Sequence, residues 1–66
     1  MRARLLNDAQ DIGEVIVELT RNGPYLKCSA IHVASGLEVS AVGPVNEPRG
    51  LEGIALDKLK RALAAR

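Results

Sequence analysis

Apolar and polar residues alternate through Glu14-Val15-Ile16-Val17-Glu18-Leu19-Thr20, which places Val15, Val17 and Leu19 on one face of a β-branched strand. Arg21-Asn22-Gly23-Pro24 interrupts that run with turn chemistry, since Asn and Gly tolerate positive φ and Pro removes a donor. A second run covers 25–32, and Val33-Ala34-Ser35-Gly36 closes it, with Gly36 where a hairpin loop needs a left-handed residue. The third run covers 37–42 and stops at Gly43-Pro44. Residues 1–12 hold no sustained period. Leu5, Leu6 and Ile12 suit a short turn of helix, but the polar residues between them leave little to bury. The expectation is a flexible N-terminal arm over 1–12 and a single domain over 13–66.

Loop lengths fix a trial register. With 21–24 as a four-residue loop, Thr20 faces Tyr25, Glu18 faces Lys27 and Val17 faces Cys28. With 33–36 as a second such loop, His32 faces Leu37, Ala30 faces Val39 and Cys28 faces Ala41. Both loops then collect Val15, Val17, Leu19, Leu26, Cys28, Ala30, Val39 and Ala41 on one side, and a slip of one residue in the middle strand would bury Lys27 and Ser29 instead. The other side carries Glu14, Glu18, Lys27, Ser29, Glu38 and Ser40, with Ile16, Ile31 and Val42 scattered among them and Glu18 beside Lys27 as an opposite-charge pair.

After the strands the period changes. Asn46-Glu47-Pro48 reads as a helix entrance, with a capping side chain, an acid near the positive end and a proline for the first turn. Leu51, Ile54, Ala55, Leu59, Ala62 and Leu63 then recur at the spacing of one helical face, and Leu56 widens the stripe. Lys58, Lys60, Arg61 and Arg66 crowd the end of the run, where cations suit the helix dipole. The predicted architecture is α+β: a three-stranded antiparallel β-meander packed on one face by a C-terminal α-helix.

Composition decides what supports so small a fold. A chain of 66 residues buries a small fraction of its surface and often needs a disulfide, a metal or a second copy. Cys28 is the only cysteine, so no disulfide forms within the chain, and Cys28 with His32 falls short of the roughly four ligands that structural zinc takes. Self-association is left, and the expected interface is the half-apolar face of Ile16, Ile31 and Val42 or an unpaired edge strand. A homodimer is therefore predicted. Net charge is +1, so bulk charge does not call for a polyanionic partner. No apolar run approaches the roughly 20 residues of a membrane span, and the basic start at Arg2 and Arg4 meets Asn7 and Asp8 before any signal-peptide core. With one cysteine, the expectation is a cytoplasmic protein, with no membrane association.

Candidate chemistry is sparse. His32 would serve as a general base or pH sensor, but no serine-carboxylate constellation accompanies it, so it reads as a turn-flanking residue whose ring packs over Leu37 or bonds the loop. Cys28 falls mid-face among apolar residues, where a thiol is inert. Gly50-Leu51-Glu52-Gly53 with Arg49 sits at a helix start, yet Glu47 and Glu52 would repel an anion and no P-loop lysine follows. Nothing encloses Glu14, Glu18 and Glu38 to raise a carboxyl for acid catalysis. The chain is expected to be no enzyme, with no catalytic residue, no metal site and no cofactor. Its expected role is a protein-binding or regulatory module with an unidentified protein partner besides its own second copy. The alternative is nucleic-acid binding by Arg2, Arg4, Lys58, Lys60, Arg61 and Arg66, which requires the two termini to converge.

Lys27-Cys28-Ser29-Ala30-Ile31, then Gly36-Leu37-Glu38-Val39-Ser40-Ala41-Val42-Gly43-Pro44 and a helix, is similar to a family of short uncharacterised bacterial proteins, mainly alphaproteobacterial. The resemblance spans roughly 14–63 and implies the same element order. It implies no activity, substrate or binding residue, and it would place an aspartate capping the loop where this chain has His32.

Overall fold

A computed structural model describes residues 2–8 and 11–66. Four antiparallel strands, β1 (Arg2–Asp8), β2 (Gly13–Asn22), β3 (Tyr25–His32) and β4 (Glu38–Pro44), form one open sheet in chain order, followed by α1 (Pro48–Ala64). The sheet thus has one strand more than the periodicity predicts, and the correction falls in the expected arm. Arg2–Asp8 pairs along its whole length with β2, from Arg2 opposite Leu19 to Asp8 opposite Gly13. Met1, Ala9 and Gln10, which also belong to that expected arm, lie outside the described residues. The strand escaped the alternation test because neither of its faces is uniformly polar: Arg2, Arg4 and Leu6 share one side, Ala3, Leu5 and Asn7 the other.

The β2–β3 hairpin is tighter than the trial register supposed. Asn22 lies directly opposite Tyr25, so only Gly23 and Pro24 form the loop. Gly23 takes φ +62°, the positive value that a two-residue loop of the II′ kind asks of its first central position. Shortening the loop from four residues to two moves the pairing by two, so Val17 meets Ala30 and Leu19 meets Cys28. Because the displacement is even, every side chain keeps its face. The expected Glu18–Lys27 pair is lost, since Glu18 lies opposite Ser29 and Lys27 opposite Thr20. The β3–β4 register agrees with expectation, with Cys28 opposite Ala41 and Ala30 opposite Val39. The His32 amide donates to the Leu37 carbonyl at 2.8 Å to close that loop. A Cβ on Gly23 would meet nothing within 4 Å, so the cost of a side chain there lies in the backbone alone. Gly23→Ala is expected to cost about 1–2 kcal/mol in urea unfolding, the penalty of a left-handed L-residue.

Val15, Val17, Leu26, Cys28 and Ala30 from the sheet meet Leu51, Ala55 and Leu59 from α1 in the buried core. The helix residues recur every four positions and lie over β3 and β4. Small Cys28, Ala30 and Ala55 line this contact, and Gly43 lies under Leu51, whose Cδ1 would be 3.2 Å from a Cβ there. Ile54, placed by spacing on the core stripe, is instead 57% exposed. Glu47 occupies the N-cap position and makes no side-chain cap bond. Arg4 pairs with Glu52, and Lys60 with Asp11 at 2.8 Å, along the β1 side of the helix. Lys58 Nζ donates to the Ser40 carbonyl at 2.8 Å on the β4 side. Among the described residues, no helix is long and apolar enough to cross a membrane.

Candidate functional site: the uncovered sheet face

One face of the sheet lies under α1 and the other has no covering element among the described residues. On that open face the register places Leu5 opposite Ile16 and Ile16 opposite Ile31, an apolar row across three adjacent strands. Neighbouring strands lie about 4.8 Å apart, so the three side chains form one stripe. Leu5 is 59% exposed and Ile16 36%. Glu38 ends the row on β4. The adjoining row is Ala3, Glu18, Ser29 and Ser40, so polar positions border the stripe. Two of the three residues expected at an interface, Ile16 and Ile31, are therefore side by side rather than scattered. Val42 is apart from them: it lies opposite Lys27 and lines a shallow hollow of about 260 Å³ with Pro44, Leu51 and Ile54. Leu5 belongs to β1, the strand that periodicity does not predict.

The groups with chemical potential are each occupied structurally. His32 Nε2 donates to the Ile12 carbonyl at 2.7 Å, since a carbonyl oxygen only accepts. Nδ1 is hydrogen-bonded to the Ser35 hydroxyl at 2.7 Å, and the Ser35 oxygen accepts from the Leu37 amide at 3.1 Å. The ring ties the approach to β2 to the β3–β4 loop, with both nitrogens used. Cys28 is fully buried, and burial pushes its thiol pKa up; the Glu52 carboxylate adds to this and Arg4 opposes it. A thiol held protonated and out of solvent is a poor nucleophile. No group of three metal-ligating side chains occurs among the described residues.

The basic residues are dispersed. Arg2, Arg4 and Arg49 line an open groove of about 500 Å³ beside the start of α1, together with Leu19, Pro48 and Glu52. Lys58, Lys60 and Arg61 belong to the later turns of α1, and Arg66 follows it. From Arg49 to Arg61 the helix rises roughly 18 Å at about 1.5 Å per residue. Arg2 and Arg4 therefore lie by one end of the helix and Arg61 and Arg66 by the other.

Residues 12–66 match the model of a family described as a domain of unknown function, DUF6898. The match takes in β2, β3, β4 and α1, and β1 precedes it. Neither a curated protein nor a solved structure matches the chain.

Proposed function

We propose that this chain, which belongs to the DUF6898 family of domains of unknown function, is a non-catalytic protein-binding module that self-associates through its open sheet face. The Leu5–Ile16–Ile31 row carries this reading. Three aliphatic side chains side by side across adjacent strands lose water together when a second surface covers them, at about 25 cal/mol per Å² of apolar area. Isolated exposed aliphatics would need no such explanation. The small core supports the reading too, since a chain of 66 residues gains stability from any partner that binds only its folded form. The lone buried thiol suits a reducing cytoplasm, where we place the dimer.

Light scattering at high micromolar concentration tests the reading. The single chain weighs 7.0 kDa, and the expected solution mass is twice that. Ile16→Glu puts a charge in the middle of the stripe, away from the helix-side core, and is expected to return the single-chain mass with the circular dichroism of the fold retained. A wild-type mass of one chain under these conditions rules the reading out.

A further inference from the structure

The geometry points to a binding site for a small organic phosphate, a phosphate monoester with an apolar body, in the groove between β1 and the first turns of α1. Arg4 lies opposite buried Val17, so this groove is on the helix side of the sheet. It is separate from the open face, and the inference stands independently of self-association.

Glu47 and Glu52 flank the helix start and would repel an anion there if both faced it uncompensated. They do not. Glu47 lines the hollow on the β4 side with Val42 and Pro44 and takes no part in the groove. Glu52 does line the groove, where it is paired with Arg4. Arg2 enters from the same side of β1 as Arg4, and Arg49 from the second residue of α1. Among the described residues neither Arg2 nor Arg49 makes an ion pair or a side-chain hydrogen bond, so both guanidinium groups are open to a ligand.

Three arginines against the one carboxylate of Glu52 give the lining an excess of two positive charges, whereas the whole chain carries +1. The positive excess is therefore local, and it draws an anion to this groove. A phosphate monoester carries about −1.5 to −2 charges near neutrality and presents three strong acceptor oxygens. Planar guanidinium forks match such oxygens two at a time. Leu19 and Pro48 supply apolar lining, and a recess of about 50 Å³ continues from the same residues to Ala3 and Val17. At about 500 Å³ the groove has the size of small-molecule sites, roughly 300–1,000 Å³. Arg61 and Arg66 lie toward the far end of the helix, so the lining suits a compact anion and not a long polyanion.

Titration of the isotope-labelled protein with phenyl phosphate, followed by amide chemical shifts, tests the site. Saturable shifts are expected at Arg2, Arg4, Leu19, Arg49 and Glu52. Phenyl sulfate has a similar shape with one charge fewer, and inorganic phosphate lacks the ring; each is expected to bind about fivefold or more weakly than phenyl phosphate. Arg2→Gln and Arg49→Gln change exposed side chains, and each is expected to weaken phenyl phosphate about fivefold or more with the fold retained. Arg61→Gln, outside the groove, is expected to leave the affinity unchanged. Equal affinity for the phosphate and sulfate esters overturns the site, as does the absence of any shift at millimolar ligand. Shifts that fail to saturate, or that spread equally over Arg61 and Arg66, show general charge screening and overturn it too.

Discussion

Leu59→Ala is expected to lower the unfolding free energy by about 2–5 kcal/mol, the range for truncating a fully buried leucine whose cavity closes only in part. Leu59 has no exposed surface and is the largest fully buried side chain among the described residues. The protein contains no Phe and no Trp, and its one Tyr, Tyr25, is 57% exposed, so aliphatic residues supply the burial that aromatics often provide. Leu59 is also the last of the three buried residues by which α1 grips the sheet. Domains hold about 0.05–0.15 kcal/mol of stability per residue, so for 66 residues the whole reserve is of the order of 3–10 kcal/mol. Urea unfolding followed by circular dichroism, at one fixed protein concentration, reads the loss. Ile54→Ala on the same helix is the contrast. Ile54 is 57% exposed, and its replacement is expected to change stability by no more than about 0.5 kcal/mol. Equal losses at the two positions would contradict the helix orientation described here.

Cys28→Asp is expected to destabilise by a similar amount, but with a pH dependence that Leu59→Ala lacks. A carboxyl in the fully buried site of Cys28 meets the same desolvation that pushes the thiol pKa up, and the same Glu52 carboxylate. Such a group titrates above its unfolded value of about 4, by up to about 3–5 pH units. Below the unfolded value the acid is neutral in both states, and the variant loses only packing. As pH rises, the unfolded chain ionises first, so stability falls by about 1.4 kcal/mol per pH unit. At pH 7 the electrostatic loss is at most about 4 kcal/mol. The stability difference between Cys28→Asp and Cys28→Ala, measured from pH 4 to 8, is expected to widen steadily. A difference that stays constant with pH would show that position 28 reaches water.

The three strands β2, β3 and β4 and the helix α1 were legible because each has a single dominant period. In β2 and β3 the apolar residues alternate, and in α1 the leucines recur at helical spacing. β1 was illegible for a physical reason. Its helix-side positions begin with Arg2 and Arg4 because α1 lies over β3 and β4, leaving the near end of β1 and β2 beside an open groove where charge is tolerated. Its outer positions include Ala3 and Leu5, so both sides mix polarity. The hairpin differs from expectation for another reason: Arg21 and Asn22 look like turn residues, yet both pair within the ladder, opposite Leu26 and Tyr25. That two-residue difference left the core prediction intact, because alternation has period two. It did change the open face, turning an Ile16–Ser29 pairing into Ile16–Ile31 and a scatter of aliphatics into a row. The pattern of the open face therefore depends on loop length, whereas the core depends only on parity.

Cross-strand nuclear Overhauser effects on the isotope-labelled protein test this registration most directly. A hairpin closed by Gly23 and Pro24 predicts methyl contacts between Ile16 and Ile31 and between Leu5 and Ile16, with backbone contacts pairing Leu19 to Cys28. Contacts pairing Val17 with Cys28 and Ile16 with Ser29 would instead establish the longer loop, break up the apolar row and remove the basis of the proposed interface.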